Sequence, residues 1–460
     1  MAETVRIISP IDGSLYAERP YADDAQIETA VIKARHARKA WREVTVADRA
    51  KFLGHFVDHL VGRNDELVLE LAWQMGRPTR YGGEKRGIEE RSRHMIAIAE
   101  ESLRTVEKTD KPGFRRYITR EPVGTVLVIA PWNYPYLTAI NSIVPALMAG
   151  NAVILKHAPQ TLLVGERIEE AMKATGLPDG LFQNLVMTHE DADRLIASGV
   201  IDHISFTGSV EGGREIERAA AGTFASISLE LGGKDPAYVR PDANLAFTAE
   251  NLAEGAFFNS GQSCCGIERI YVHEAVYDPF VGQFIEQARG WTLGNPLDPA
   301  TVVGPMAEAR FADTVRLHTE EALRKGATTN LNWGDPRDKP GSPYIAPEVL
   351  TGVNHQMLAM RDETFGPIVG IMKVKDDEEA LTLMNDSPYG LTASIWTEDL
   401  DAAARLGTRI EAGTIFANRC DYLDPGLVWT GVKDSGNGAA LGELGYMSLT
   451  QPKSYHLRQI

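Results

Sequence analysis

The sequence predicts an α/β protein built from short apolar strands that alternate with amphipathic helices. Three observations support this: strand-like and helix-like segments alternate between residues 125 and 231, the alternation restarts after Gly232-Gly233, and the chain has 460 residues. Such alternation is typical of parallel sheets that carry helices on both faces. Because one ordinary core does not extend over this length, two or three domains are expected.

The first part of the chain is predicted to be helical. Between residues 23 and about 76, apolar side chains recur every three or four positions, as on one face of a helix. Asp23 or Asp24 can cap the first helix, and Gly62 with Asn64 interrupts the pattern midway. We therefore expect consecutive helices before the first sheet.

The first parallel sheet is predicted in the middle of the chain. Its strands are expected at 125–129, 152–155, 181–186, 203–206 and 226–231. Helical segments lie between them, at about 161–175, 189–198 and 211–220. Ligands of such sheets bind at the carboxyl ends of the strands. The residues considered below follow those ends.

The remaining segments suggest a second α/β domain and a small separate sheet. Two extended segments, 114–120 and 448–460, do not belong to either α/β pattern and are expected to pair with each other. The predicted division is 1–103 with 123–231 for a first domain, 232–432 for a second domain, and 104–122 with 445–460 for the small sheet.

Composition excludes several classes of function. A net charge of −16 argues against binding to nucleic acid. The N-terminus lacks the pattern of a secretory leader, and the most apolar window, 138–155, contains Asn, Pro and Gly, so no membrane association is expected. Three cysteines are too few for a disulfide framework, which favours the cytoplasm. No metal site is predicted.

Cys264 and Glu230 are candidates for covalent and general-base catalysis. Cys264 follows Gly261-Gln262 in a polar turn, which suits a reactive thiolate better than a buried structural thiol. Cys265 is expected to point elsewhere. Glu230 ends an apolar strand, where burial raises a carboxyl pKa toward that of a general base. A structural ion pair between Glu230 and Lys234 is the open alternative.

The segments around Asn133 and Gly208 offer binding groups. Asn133 lies between two prolines at a strand end, where its amide can donate to an oxyanion, although an ordinary turn asparagine is the alternative. Gly208-Ser209 begins a helix after a strand, which suits a pyrophosphate. Lys156 ends another strand, within reach of ribose hydroxyls or a phosphate.

Seven motifs together resemble the successive signature motifs of the aldehyde dehydrogenase superfamily, in the same order and over nearly the whole chain. They are Pro131-Trp132-Asn133, Lys156, Phe206-Thr207-Gly208-Ser209, Glu230-Leu231-Gly232-Gly233-Lys234, Asn259-x-Gly-Gln-x-Cys264, Glu363-Thr364-Phe365-Gly366-Pro367 and Asn385-Asp386-Ser387-Pro388-Tyr389-Gly390-Leu391. The resemblance implies a Rossmann-type cofactor domain, an α/β catalytic domain and a small sheet that builds homodimers or homotetramers.

The resemblance also implies a role for each matching residue. Cys264 attacks the aldehyde, Asn133 and the backbone N–H of Cys264 bind the oxyanion, and Glu230 activates the water that hydrolyses the thioester. Glu363 holds the nicotinamide ribose, Phe365 packs beside the nicotinamide ring, Lys156 holds the adenosine ribose, and Gly208 with Ser209 faces the pyrophosphate. The full implied site for NAD or NADP is Lys156, Gly208, Ser209, Gly213, Glu363, Phe365 and Trp132. The implied substrate tunnel is lined by Tyr134, Phe258, Leu423 and Trp429, with Asn141 and Arg419 as polar neighbours.

The sequence departs from the family pattern beside the cofactor and the tunnel. Pro159 stands where NAD-preferring members often carry a glutamate, and Lys156 with His157 offers positive charge, so both NAD and NADP are expected to be used, with NAD still the main candidate. Trp429 replaces a usual Phe, and Ala439 replaces a common Arg.

The resulting prediction is a hydrolytic, NAD- or NADP-dependent aldehyde dehydrogenase that oxidises a small-molecule aldehyde to the carboxylic acid. Two alternatives remain open. A CoA-acylating semialdehyde dehydrogenase has the same fold but typically lacks the glutamate, and a crystallin-like structural member would not be catalytic.

Overall fold

The computed structural model describes residues 3–331 and 333–460 and confirms the predicted α/β class. The chain begins with an antiparallel hairpin that the sequence analysis did not predict, β1 (Thr4–Ile8) and β2 (Leu15–Pro20). Four helices follow: α1 (Asp24–Trp41), α2 (Val46–Gly62), α3 (Asn64–Met75) and α4 (Lys85–Ser102). Asp23 caps α1, and the predicted break separates α2 from α3, so both expectations are confirmed.

Two strands come after α4, β3 (Val106–Lys108) and β4 (Phe114–Pro122), and the predicted parallel sheet begins after them. Its strands and helices alternate as expected: β5 (Thr125–Ala130), α5 (Pro135–Ala149), β6 (Ala152–His157), α6 (Leu162–Ala174), β7 (Phe182–Asn184), α7 (His189–Ala197), β8 (His203–Thr207), α8 (Val210–Ala220) and β9 (Ser226–Glu230). These strands are all parallel, in the order β9-β8-β5-β6-β7. We call this the first sheet.

Strands and helices alternate again after the first sheet: β10 (Asp235–Val239), α9 (Leu245–Phe257), β11 (Ile267–His273), α10 (Tyr277–Ala288), α11 (Ala309–Arg324), β12 (Thr328–Thr329), β13 (Glu348–Thr351), α12 (Leu358–Arg361), β14 (Ile368–Val374), α13 (Asp377–Asn385), β15 (Tyr389–Gly390), β16 (Thr392–Trp396), α14 (Leu400–Gly407) and β17 (Thr414–Ala417). Seven of these described strands form a second sheet in the order β12-β13-β14-β11-β10-β16-β17, in which β12 is antiparallel to its neighbour and the other pairs are parallel. The predicted restart after Gly233 is therefore confirmed.

The C-terminal part returns to the earlier elements. β18 (Val432–Lys433) pairs with β15, and β19 (Gly436–Asn437) adds an antiparallel edge to β9. After α15 (Gly442–Ser448), β20 (Thr450–Arg458) pairs with the whole of β4, which confirms the predicted pairing. Within the predicted segment 445–460, residues up to Ser448 belong to α15, which packs against α4 and α5 through the buried Tyr446, while the division of the chain into domains stays a prediction.

The buried core determines how rigidly the site is held. One large apolar cluster packs around the first sheet, and two others cover the two faces of the second sheet. β5 and β6 are buried at every position, as expected for central parallel strands. Their carboxyl ends, together with those of β8 and β9, carry the candidate site residues.

Across residues 3–331 and 333–460, helices of the length and apolarity needed to cross a membrane are not found.

Candidate active site

Cys264 lies just beyond a tight turn that follows α9. Asn259 and Ser260 have φ angles of 53° and 58°, and Gly261 has a φ of 70°. A Cβ atom on Gly261 would lie 2.3 Å from the carbonyl oxygen of Gly366, so glycine is required there for space as well as for conformation. The predicted polar turn is confirmed.

Gln262 fixes the chain before Cys264. Its Nε2 donates to the carbonyl oxygen of Asn259 at 3.0 Å, and its Oε1 accepts from the N–H of Ala307 at 2.9 Å. Because Gln262 is only 1% exposed, these bonds do not compete with bulk water. The glutamine therefore anchors the loop that presents the thiol.

A cavity of about 510 Å³ surrounds Cys264, and we call it the substrate cavity. All four residues predicted for the tunnel line this cavity, as do the two predicted polar neighbours: Tyr134, Phe258, Leu423, Trp429, Asn141 and Arg419. Further apolar wall comes from Leu137 and Phe247. The cavity thus brings together residues from four separate segments of the chain, and their role in holding a substrate stays a prediction.

Glu230 opens into the same cavity from the end of β9. Burial raises the pKa of Glu230 to about 7, while a hydrogen bond from Thr207 Oγ1 at 3.3 Å and the charge of Arg91 act in the opposite direction. The alternative ion pair with Lys234 is wrong, because Lys234 Nζ contacts Glu268 instead. In the portion of the chain that the structure describes, no basic nitrogen lies within 4.0 Å of the Glu230 carboxylate, and its raised pKa suits a general base near neutral pH.

Cys265, the neighbour of Cys264, is tied to a different group. Its Sγ donates to Asp421 Oδ1 at 3.0 Å, and Ser263 Oγ donates to the same oxygen at 2.8 Å. The pKa of Cys265 is raised well above its ordinary value by hydrogen bonding with Cys264, by burial and by the charge of Asp421. A raised pKa lowers the thiolate fraction of Cys265, which argues against Cys265 as the nucleophile.

Three charged residues of the substrate cavity were missed by the sequence analysis: Arg91, Asp421 and Glu254, which lies on α9. Arg91 comes from α4, and its Nη1 lies 3.5 Å from Asn141 Oδ1. In the described part of the chain, no carboxylate oxygen lies within 4.0 Å of Arg91. Asp421 comes from the segment after β17. None of the three lies in a local motif, so only the folded arrangement reveals them.

Asn133 lies behind the nucleophile loop. It is 5% exposed, and its Nδ2 donates to the carbonyl oxygen of Gln262 at 3.3 Å. The backbone carbonyl oxygen of Asn133 accepts from Asn259 Nδ2 at 3.1 Å. The amide is thus directed toward the loop of Cys264 but is not part of the cavity wall. Its oxyanion role stays a prediction.

A larger cavity of about 1280 Å³ runs along the carboxyl ends of the first sheet, and we call it the cofactor cavity. Ser209 caps α8 by accepting from the N–H of Gly212 at 3.1 Å. A Cβ atom on Gly208 would lie 2.7 Å from Phe206 Cζ. The cradle at this helix start therefore depends on glycine, and helix starts favour phosphate groups.

The structure distinguishes two glycines of α8. Gly212 lines the cofactor cavity, whereas Gly213 does not. A Cβ atom on Gly213 would lie 2.7 Å from Leu231 Cδ2, so Gly213 allows the helix to pack on the sheet. A direct contact between Gly213 and a cofactor is therefore not supported by this geometry.

Lys156 lies in the cofactor cavity at the end of β6. It is 2% exposed, and burial lowers its pKa to about 8. Among the described residues, no carboxylate oxygen lies within 4.0 Å of its Nζ. A buried ammonium group of this kind suits ribose or phosphate oxygens.

The expected positive charge of His157 is wrong. His157 is 7% exposed, burial lowers its pKa to about 4, and its Nε2 lies 3.2 Å from the carbonyl oxygen of Pro135. Pro159 does line the cofactor cavity, as expected, but so does Asp193 from α7. The charge of Asp193 acts to raise the pKa of Lys156, so a carboxylate missed by the sequence analysis faces this region.

Glu363 and Phe365 do not belong to the wall of the cofactor cavity. The N–H of Gly233 donates to Glu363 Oε1 at 2.9 Å, and burial together with Glu268 raises the pKa of Glu363 to about 8. The Phe365 ring packs edge-on against Trp132 at 5.6 Å, and Trp132 does line the cavity. The roles of Glu363 and Phe365 in binding a cofactor stay predictions.

The two cavities meet at Thr207, which lines both. Lys156 ends β6 and Glu230 ends β9, three strands away in the first sheet. Three interstrand spacings amount to roughly 14 Å. A long ligand can therefore lie across the strand ends with one end at Lys156 and the other near Cys264.

Comparison with known proteins agrees with this arrangement. The sequence model of the Aldehyde dehydrogenase family matches residues 1–455. The chain belongs to the aldehyde dehydrogenase family. The chain is similar to a 4,4'-diapolycopene aldehyde oxidase of Methylomonas sp, at 35% identity over 98% of this chain and 85% of the relative. It is also similar to a succinate-semialdehyde dehydrogenase [NADP(+)] of Mycobacterium avium, at 32% identity over 98% of this chain and 96% of the relative.

Solved structures resemble this aldehyde dehydrogenase along its whole length. An aldehyde dehydrogenase from Brucella melitensis biovar abortus has a TM-score of 0.94 at 28% identity, covering 100% of this chain and 94% of that one. A betaine aldehyde dehydrogenase from Staphylococcus aureus in complex with NAD+ has a TM-score of 0.92 at 27% identity, and the match covers 99% of this chain and 91% of that one. The predicted family, fold, aldehyde oxidation and use of NAD or NADP are confirmed.

Proposed function

We propose that this aldehyde dehydrogenase converts an aldehyde to the free carboxylic acid through a thioester on Cys264 that Glu230 helps to hydrolyse. The observation that supports the proposal is that the thiol of Cys264 and the raised-pKa carboxyl of Glu230 open into one substrate cavity. A nucleophile and a general base with a pKa near 7 are the groups that acyl transfer to water requires.

The protein groups act in two stages. The thiolate of Cys264 adds to the aldehyde carbon, and the oxyanion formed there is held by the backbone N–H of Cys264 and by Asn133. When bound in the cofactor cavity, NAD or NADP supplies the acceptor for the hydride that leaves this carbon. Glu230 then takes a proton from water, whose oxygen attacks the thioester carbon, and the Cys264 thiolate leaves. The product acid ionises, so two protons are released in each turnover.

Several residues of the cofactor cavity fit a dinucleotide. The N-terminus of α8 at Gly208-Ser209 suits the pyrophosphate, and Lys156 suits the adenosine ribose. Trp132 forms part of the same wall. Over the described residues 3–331 and 333–460, the Lys156 ammonium has no carboxylate within 4.0 Å, which matches a bound, oxygen-rich ligand.

A spectrophotometric assay tests this function directly. Purified protein is mixed with NAD or NADP and with short aliphatic, aromatic and acidic aldehydes, and the reduced cofactor is followed at its absorbance band. We expect aldehyde-dependent reduction and a free acid as product. Absence of turnover with the whole panel would favour the crystallin-like alternative, and turnover that requires coenzyme A would favour the acylating alternative.

Cofactor preference should respond to Pro159, which lines the cavity near Lys156. In Pro159→Glu, a new carboxylate can accept from a ribose diol and repel a 2′-phosphate. One charge-assisted hydrogen bond contributes about 1.5–3 kcal/mol, so the ratio of kcat/KM for NAD to that for NADP should rise at least about tenfold.

Pro159→Gln is the matched control, because it has the same size without the charge. The dissociation constants of the reduced cofactors provide a second measurement that does not depend on catalysis. An unchanged ratio in Pro159→Glu would show that this position does not face the ribose.

Assembly and location are further parts of the proposal. β20 is an edge strand of the three-stranded sheet, and most of its residues are exposed. Such an edge is a surface on which another chain can pair, which supports a homodimer or homotetramer, to be tested by native mass spectrometry. The three free cysteines support a reducing, cytoplasmic location.

A further inference from the structure

A row of polar side chains connects Glu230 with the opposite end of its strand. β8 and β9 are parallel neighbours in which three polar pairs face each other. The pairs are His203 with Ser226, Ser205 with Ser228, and Thr207 with Glu230. Alternate residues of a strand share one face, so these six side chains lie on one face of the first sheet. The residues between them are apolar: Ile204, Phe206, Ile227 and Leu229.

The half of this row that lies farther from Glu230 is continuously hydrogen-bonded. His203 Nδ1 lies 2.7 Å from Ser226 Oγ, and His203 Nε2 lies 3.2 Å from Ser205 Oγ. His203 is 1% exposed, and burial lowers its pKa to about 4, so its imidazole is neutral at physiological pH. A neutral imidazole has one donor and one acceptor nitrogen, which is the arrangement that passes a proton along.

A small closed space separates this half from Glu230. The space measures about 10 Å³, and its walls include Glu230, Thr207, Ser205, Ser228 and Asn141. That volume is near the lower limit for one water molecule. Asn141 Nδ2 is buried and finds no hydrogen-bond partner among the residues that the structure describes. A water in this space would accept from Asn141 and would bridge Glu230 to the serines.

The far end of the row reaches the protein surface. Ser226 is exposed, whereas His203 and Ser205 are buried. The row is separate from the opening of the substrate cavity, whose walls include neither His203 nor Ser205. It therefore offers a second connection between Glu230 and solvent.

We propose that the proton that Glu230 takes from the hydrolytic water leaves through one bridging water, Ser205, His203 and Ser226. This inference rests on the proposed role of Glu230 as the general base. Such a row would allow Glu230 to lose its proton to solvent even while product and reduced cofactor were still bound in the two cavities.

Each transfer along the row is balanced. Glu230 gives its proton to the water, the water gives one to Ser205, and Ser205 gives one to His203 Nε2. His203 gives the proton of Nδ1 to Ser226, which releases a proton to solvent. No group keeps a net charge, and a turn of the hydroxyls with a change of imidazole tautomer restores the starting state.

The experiment follows hydride transfer and proton release in the same stopped-flow mixture, using cofactor absorbance and a pH-indicator dye. The variants are Ser205→Ala and His203→Gln; glutamine can hydrogen-bond to both serines but does not exchange tautomers. We expect a normal burst of reduced cofactor and release of the Glu230 proton slowed at least about tenfold, within the range for lost proton-transfer groups. Ser92→Ala removes a buried hydroxyl that has no partner and serves as the control, with wild-type rates expected.

Wild-type protein provides a measurement that does not depend on folding of the variants. Its rate of proton release should fall non-linearly with the deuterium fraction of the solvent, because several protons move. A linear dependence, or wild-type release rates in folded Ser205→Ala and His203→Gln, would overturn the proposal. If Glu230→Gln also leaves the rate of thioester hydrolysis unchanged, the proposed role of Glu230 as general base fails as well. If Glu230→Gln slows hydrolysis but Ser205→Ala and His203→Gln release protons at the wild-type rate, the proposed function stands and the proton path through the row is refuted.

Discussion

Cys264→Ala should reduce aldehyde-dependent turnover by at least roughly 10⁴-fold, because the substitution removes the only atom proposed to bond to the substrate. Cys265→Ala is the matched control, since it removes the adjacent thiol. Cys265 has a raised pKa and donates to Asp421, so we expect this control to keep most of its turnover.

The measurement is steady-state reduction of NAD and NADP, combined with mass spectrometry of protein quenched during turnover. Wild type and Cys265→Ala should carry an acyl group on the peptide that contains Cys264, and Cys264→Ala should not. Near-normal turnover in Cys264→Ala would refute covalent catalysis by this residue.

Glu230→Gln should separate the two chemical stages. Because hydride leaves before the thioester is hydrolysed, the variant should still show a burst of reduced cofactor, while turnover falls by roughly 10²–10⁴-fold, the usual contribution of a positioned general base. Rapid mixing measures the burst, and steady-state absorbance measures turnover. If the burst disappears together with turnover, Glu230 instead acts before hydride transfer or in placing the cofactor.

The pH profile gives an independent test of the same residue. Burial raises the pKa of Glu230 to about 7, and only its ionised form accepts a proton. Hydrolysis of the thioester in wild type should therefore rise with pH through about 7 and level off above it. The residual hydrolysis in Glu230→Gln should lack this step.

Local patterns were sufficient to predict most of the fold. Apolar period and strand length located β5 to β9 and the helices between them, since each signal lies within about ten residues. The hairpin β1–β2 was missed although β1 alternates exposed and buried residues, because β2 has no buried residue and so lacks the apolar face that marks a strand in the sequence. The helix α15 was missed because only its packing through Tyr446 against α4 distinguishes it from an extended tail.

Site residues could be predicted where an ionisable side chain lies at the carboxyl end of a predicted strand. Glu230 and Lys156 were proposed in this way, whereas Cys264 was proposed from the Gly261-Gln262 turn before it, and the structure places each of the three in one of the two cavities. Arg91 and Asp193 could not be found, because each is a charged residue on a helix, indistinguishable in sequence from solvated neighbours. The charge expected for His157 depended on its degree of burial, which only the folded chain determines.

Asp421 has a practical consequence for enzyme engineering. It accepts from Ser263 and Cys265 on either side of the nucleophile, and it lies on the same segment as Arg419 and Leu423 of the substrate wall. Loops that shape a binding pocket are usually the first targets of directed evolution. Here such a loop is hydrogen-bonded to the two residues that flank Cys264, so libraries that diversify the wall should retain Asp421. Variants that lose Asp421 should lose turnover with every aldehyde rather than change their preference among aldehydes.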